Sequence, residues 1–283
     1  MCTAQPKKEG DNVPKTKVAA TLALGAAASL LAGCAAAAGG DDGDVLTYLE
    51  SNWFNSLYPP AAGFYPNGGV VNQLTDRLLY QDPETLELEP WIATDLPEIN
   101  EDATVFTFDI RTDVTYSDGT PMTAQNIVDN FDLFGLGDKD RLLNVSEQIS
   151  NYERGEVVDE DTVRFYFSAP SPGFAQATST YNAGLLADSS LKLRNEDFGP
   201  GNAENVIGSG PFVVDSETLG TDLVLKARED YDWAPPSLEH QGRARVSTAS
   251  TTPWPRKRPC APARCCPARP TSRARSPRRW SAT

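Results

Sequence analysis

Between positions 104 and 110, Phe106, Phe108 and Ile110 fall on one side of an alternation and Val105, Thr107 and Asp109 on the other. A period of two predicts a half-buried strand. Thr162 to Phe167 repeats the pattern with Val163, Phe165 and Phe167, and Pro170-Ser171-Pro172-Gly173 ends it. Val45 to Leu49 is a short β-rich run. Phe212-Val213-Val214 and Leu223-Val224-Leu225 flank a turn containing Gly220 and are expected to pair as a hairpin. Helical spacing appears twice. Asn67 is the expected cap of a helix carrying Val70, Val71, Leu74 and Leu78, and Thr123 that of a second helix with Ile127, Val128 and Phe131 inward. Asp82-Pro83 and Ser117-Asp118-Gly119-Thr120-Pro121 are turn chemistry. Strands and helices alternate, which gives an α/β or α+β lobe rather than a bundle or a sandwich.

The two ends follow other rules. Lys7, Lys8, Lys15 and Lys17 precede an apolar, Ala-rich run from Val18 to Gly33. That run is shorter than the roughly 20 strongly apolar residues of a spanning helix, and a basic segment before it is the pattern of an export signal. It closes on Leu31-Ala32-Gly33-Cys34, which resembles the bacterial lipobox and makes Cys34 the expected lipidation site. Residues 1–33 are thus read as a lipoprotein signal peptide. The Gly- and Asp-rich residues 34–44 are read as a flexible linker. Asp41, Asp42 and Asp44 lack the ligand spacing of a calcium loop.

Charge divides the rest. The 283 residues carry a formal net charge of −14, but from Gln241 to Thr283 there is no Asp or Glu. Before position 241 stand 14 basic against 39 acidic residues, a charge of −25. An acidic body gives no footprint for nucleic acid. Residues 45–240 are read as a folded lobe and 241–283 as a disordered basic tail rich in Arg and Pro, with Cys260, Cys265 and Cys266. Arg, Pro, Ala, Ser and Cys are what GC-rich DNA encodes out of frame. Back-translating Val246 to Thr271 and reading one base earlier permits an acidic, cysteine-free sequence. The expectation is a frameshift after about residue 244, with the three cysteines neither metal ligands nor a disulfide framework.

Four segments of the body carry a resemblance. Thr107 to Asn126 holds a strand, Ile110-Arg111, Asp118-Gly119-Thr120-Pro121 and Thr123-Ala124-Gln125-Asn126 opening a helix. Pro90-Trp91-Ile92-Ala93 precedes it; Ile207-Gly208-Ser209-Gly210-Pro211-Phe212 and Leu225 to Trp233 follow. In order and spacing these resemble the extracellular solute-binding proteins of family 5, the peptide- and nickel-type receptors of ABC importers, here of an actinobacterial-type lipoprotein. Asn126 stands where the family commonly has Asp, and Ser56-Leu57-Tyr58-Pro59 where it commonly has Leu-Asp-Pro. The resemblance implies a clamshell of the type II periplasmic-binding-protein kind, of which this chain holds the first lobe with its inserted subdomain and lacks the second. It implies capture of an extracellular solute, by default an oligopeptide, for ABC permease and ATPase subunits at the membrane, by a lipoprotein anchored at the cell surface or periplasm in truncated, impaired form. Aligned by order, Ala62-Gly63-Phe64-Tyr65 falls where peptide-binding members pair main chain with their ligand. Trp53, Asn55, Gly63, Phe64 and Tyr65 are therefore the expected cleft residues.

Catalysis finds little support in the residues. His240 is the only histidine and lies in a loop, and Ser-His-Asp or Cys-His chemistry requires one. Gly208-Ser209-Gly210 lacks the Lys of a phosphate loop, and no metal or cofactor is expected. Asp159-Glu160-Asp161 is the densest carboxylate cluster but reads as a solvated turn before a strand. Abundant carboxylates keep one alternative open, a lipid-anchored extracellular glycosidase or glycan-binding protein.

Overall fold

The computed structural model describes residues 45–63, 66–239 and 248–253. The expected signal, linker and Cys34 lie outside them, as do Phe64, Tyr65, His240 and the three cysteines of the tail. The described chain is a mixed α/β body with three sheets.

The first sheet has the order β1-β10-β9-β8, from β1 (Val45–Glu50), β8 (Phe212–Thr218), β9 (Asp222–Ala227) and β10 (Thr248–Pro253). β8 and β9 form the expected hairpin, Val214 opposite Leu225. β10 joins this sheet antiparallel to β9 and parallel to β1, Val45 opposite Thr248 and Glu50 opposite Pro253. The expected disordered tail is thus corrected over these six residues. A ladder is built from main-chain groups that every residue but proline carries, so composition alone does not forbid it. In β1 the side chains of Val45, Leu46, Tyr48 and Leu49 are exposed and only Glu50 is buried.

The second sheet is antiparallel, in the order β4 (Glu98–Ile99), β5 (Val105–Asp109), β7 (Thr162–Phe167), β6 (Tyr152–Val157). Phe106, Phe108, Val163, Phe165 and Phe167 turn inward, the alternation the sequence carries. Over them lies α2 (Ala124–Leu136), whose Ile127, Val128 and Phe131 are buried. The Thr123 hydroxyl accepts the Asn126 N–H at 3.2 Å and caps it as expected. α3 (Phe174–Ala177) adds Phe174, which meets Phe106, Phe131, Phe165 and Phe167 at ring-centroid distances of 4.6–5.7 Å. Edge and tilted contacts of this kind fix an aromatic core. Asp159 and Glu160 are exposed in the turn between β6 and β7.

A small hairpin of β2 (Leu79–Gln81) and β3 (Leu88–Pro90) follows α1 (Asn67–Leu74). Asp82 turns this hairpin by accepting the N–H groups of Glu84 and Thr85 at 2.7 and 2.8 Å. Those bonds hold its carboxyl below the usual carboxylate range. A further short helix, α4 (Pro236–Glu239), lies between β9 and β10 in chain order.

α1 departs from expectation at both ends. Asn67 is its first helical residue, not its cap, and the helix stops at Leu74. Thr75 is extended (φ −129°, ψ 144°), and its hydroxyl donates to the Val71 carbonyl at 2.9 Å. Leu78 is fully buried, but from beyond the helix.

Candidate functional site

In an open sheet, ligands sit beyond the carboxyl ends of parallel strands, where loops leave the sheet together. β1 and β10 are the parallel pair here, and both end at the edge marked by Glu50 and Pro253. The loop leaving β1 carries the expected cleft residues.

Asn55 and Asn67 hold that loop to α1 by two reciprocal bonds. The Asn55 N–H donates to Asn67 Oδ1 at 3.0 Å, and Asn67 Nδ2 donates to Asn55 Oδ1 at 2.6 Å. Asn67 is therefore a loop anchor, and the Asn55 side chain, though the residue is exposed, is already engaged. The turn of Pro59–Ala61 is tied from the far side. Asn182 Nδ2 donates to the carbonyls of Pro59 and Pro60 at 3.2 and 3.3 Å, and Gln148 donates to Asn182 Oδ1 at 3.3 Å. Gly63 is exposed beside Asn182.

Trp53 is half-buried and stacks on the buried Phe54 at 5.2 Å and 29°. Its indole N–H is buried without a hydrogen-bond partner. Glu50, three residues earlier, is 2% exposed, and its Oε2 likewise has no partner. So the structure gathers Trp53, Asn55 and Gly63 on one loop, with the Asn55 side chain engaged by Asn67 and Gly63 exposed. Phe64 and Tyr65 fall outside the described residues. Glu50 was missed because it reads as the polar end of an amphipathic strand.

Behind the loop lies a second polar cluster that sequence reasoning also missed. Asp76 is fully buried and accepts Trp233 Nε1 at 2.8 Å and the Tyr231 hydroxyl at 3.4 Å. Burial pushes its carboxyl up to about 6, against the opposing pull of the Trp233 bond and the Arg77 charge. Burial likewise pulls Arg77 down to about 10, opposed by Asp76. Arg77 lies over the Trp91 ring at 4.6 Å and donates to Asn72 at 2.7 Å. Arg228, over Trp233 at 5.2 Å, donates to Asp230 at 2.7 Å and to the Thr115 carbonyl at 3.0 Å. A charged pair inside the apolar run Leu74 to Leu79 was the signal available in the sequence.

The remaining motifs resolve into packing. A side chain at Gly208 would strike the Leu74 carbonyl, and one at Gly210 would approach Leu74 C to 2.6 Å. The Gly-Ser-Gly turn thus lies flush on the end of α1. Two surface cavities, of about 500 Å³ and 280 Å³, lie elsewhere. One is bounded by Asp138, Arg141, Asp188 and Lys192, the other by Tyr116, Lys226 and Arg228, and neither includes an expected cleft residue. Among the described residues no group of three His, Cys, Asp or Glu converges as a metal would require.

A sequence model of the bacterial extracellular solute-binding proteins, family 5 Middle, matches residues 87–252. Among curated proteins, Protein XP55 of Streptomyces lividans is 30% identical over 172 residues, 61% of this chain and 30% of that protein. The glutathione-binding protein GsiB of Escherichia coli O157:H7 is 25% identical over 217 residues, 76% of this chain and 39% of its own length. Among solved structures, the periplasmic binding protein DppA of Helicobacter pylori in complex with the peptide STSA superposes with a TM-score of 0.61 at 18% identity. That superposition covers 75% of this chain and 43% of DppA, a likeness of fold. The chain spans less than half the length of each of these relatives.

Proposed function

Because the chain belongs to the bacterial extracellular solute-binding proteins of family 5, we propose that it is the solute receptor of an ABC importer and takes a short oligopeptide. The observation that carries this reading is the loop leaving β1. It sets a half-buried Trp53 and an exposed Gly63 beside the carboxyl ends of two parallel strands, and Asn55, Asn67 and Asn182 fix its main chain from both sides. A rigid exposed main chain next to an aromatic ring suits a peptide. Extended ligand backbone can pair with it while side chains remain unread, and pre-ordering the loop lowers the entropy cost of binding. The H. pylori DppA structure, which holds a peptide on the same fold, supports this choice. A glycosidase reading loses ground, since the matched family is one of solute-binding proteins.

The receptor is held at the outer face of the cytoplasmic membrane by lipid on Cys34 and delivers solute to permease and ATPase subunits. The lipobox-like Leu31-Ala32-Gly33-Cys34 after the basic and apolar run supports that anchor.

The test is a titration with di- to pentapeptides, read by nuclear magnetic resonance at the Trp53 indole so that weak binding registers. Saturable, peptide-dependent shifts are expected. A flat response across the panel, or turnover of mixed glycosides, overturns the reading. Labelling with a radioactive fatty acid that is lost in Cys34→Ser tests the anchor, and equal labelling of both forms refutes it.

A further inference from the structure

We infer that Glu50 and Trp53 form a subsite for a protonated nitrogen of the solute, an alkylammonium group, and that Glu50 is the residue that sets this charge preference. Placing the solute at the β1 edge rests on the solute-binding reading above; the charge preference rests on the following geometry.

Glu50 ends β1 and is 2% exposed, and its Oε2 has no hydrogen-bond partner. A buried carboxylate without a partner is costly, and the cost is offset only by a proton or a cation. None of the ion pairs among the described residues includes Glu50. The shortage is therefore local to a position that faces the edge where solute is expected.

The route to the carboxylate is short. A Cβ built at Gly69, an exposed position of α1, would sit 3.9 Å from Glu50 Oε1. A Cβ there would be in ordinary van der Waals contact with the carboxylate, so a larger side chain at position 69 would lie against it. This position does not call for glycine on backbone grounds, since α1 has ordinary helical geometry there and glycine weakens a helix interior.

Trp53 supplies the rest. Chain reach limits it to about 10 Å from Glu50. A half-buried indole three residues along from a carboxylate can join it in holding an alkylammonium group, through ring face and charge together. Its unpartnered N–H adds a donor for an oxygen next to the ammonium carbon. One orphan acceptor at the end of β1 and one orphan donor on the loop that follows thus match a solute that carries a cation and a carbonyl side by side.

The test uses the full chain, labelled with ¹⁵N at tryptophan indoles, and methylammonium chloride as the probe, with sodium chloride as the ionic-strength control. Trp53→Phe identifies its signal among the five tryptophans. The Trp53 signal is expected to shift saturably with methylammonium and to stay still with sodium. In Glu50→Gln the affinity should fall by about thirtyfold or more, the size expected when one partner of a buried charge pair is removed. Glu50→Asp should retain a weakened response. Should Glu50→Gln fail to fold, Gly69→Leu carries the same test, because it covers the carboxylate from an exposed helical position where leucine is the better helix former. An absent shift, an equal shift with sodium, or an unchanged affinity in Glu50→Gln and Gly69→Leu overturns the inference. A peptide response without a methylammonium response sinks this subsite alone. The reverse result sinks the peptide reading and keeps the subsite.

Discussion

The indole N–H of Trp233 donates to the carboxylate of Asp76 at 2.8 Å, joining residues 157 positions apart. Both are buried, Asp76 at the end of α1 and Trp233 just past β9. The bond locks the last of the four family-like segments onto the helix that carries the β1 loop. Trp233→Phe keeps most of the packing and removes the donor, leaving Asp76 with the longer Tyr231 bond. A hydrogen bond to a buried charge is worth about 1.5–3 kcal/mol. Urea unfolding at pH 8 should show a loss of about 2 kcal/mol, and a midpoint unchanged from the parent would show that the bond is dispensable.

Asp76 also makes the fold sensitive to pH. Its carboxyl is pushed up to about 6, chiefly by burial, above the ordinary carboxylate value of 3.8. Between those values the folded chain binds more protons than the unfolded one, so stability falls as pH rises. The contribution is complete below the ordinary value and is lost as pH passes through about 6. The gap corresponds to something on the order of 3 kcal/mol. The stability of the parent relative to Asp76→Asn should therefore decline from pH 4 to pH 6.5 and level off above. A flat difference across that range would mean that Asp76 titrates normally.

The sequence revealed most where a pattern is enforced by one buried face. β5, β7 and the β8–β9 hairpin were legible because Phe106, Phe108, Val163, Phe165 and Leu225 repeat every second residue and are all buried. α2 was legible through Thr123. β6 was not: its only buried residue is Tyr152, and its ladder is main-chain pairing that leaves little trace in side-chain pattern. The over-long reading of α1 has the same root. Leu78 keeps the helical spacing, yet the main chain has left the helix at Thr75 and buries Leu78 from a bend beyond it. At the site, Trp53 and Gly63 were expected from their place after the first strand, and both lie on the loop leaving β1. Asn55 was assigned to solute because its bond to Asn67 is a tertiary fact. Glu50 was overlooked because a lone acidic residue is normally a solvated one, and Asp76 because an adjacent Asp-Arg pair normally is too.

Asn126, which stands where the family commonly has Asp, now has a physical reason. Its Nδ2 donates to Asp188 Oδ1 at 2.6 Å and to the Leu186 carbonyl at 3.1 Å, while its Oδ1 accepts the Tyr116 hydroxyl. Only an amide can donate and accept in this way. Asn126→Asp would set a buried carboxylate against the exposed carboxylate of Asp188 and remove both donated bonds. Thermal or urea unfolding at pH 7 should show a loss of about 3 kcal/mol, within the range for a buried, unpaired charge. The double variant Asn126→Asp with Asp188→Asn should recover more than half of it, because the donor and acceptor are then exchanged. Losses that simply add would show that the pair is not coupled.

The Gly-Ser-Gly turn gives a steric prediction. Gly210 N–H donates to the Leu74 carbonyl at 3.0 Å, and a Cβ at Gly208 would fall on that same carbonyl. The obstacle is main chain, which cannot rotate aside as a side-chain tip can, so relief requires the turn to lift off α1. Gly208→Ala should lose at least 3 kcal/mol of stability, at the upper end for a single overpacking change. Lifting the turn also loosens the end of α1 and, through Asn67, the loop that carries Trp53. The indole signal of Trp53 should broaden or move in this variant although the two positions lie far apart in sequence. Gly173→Ala is the control: a Cβ there meets nothing within 4 Å, and its backbone angle of −82° suits alanine. It should change stability by no more than about 0.5 kcal/mol. Equal stability of the Gly208 and Gly173 variants would mean that the turn does not rest on α1.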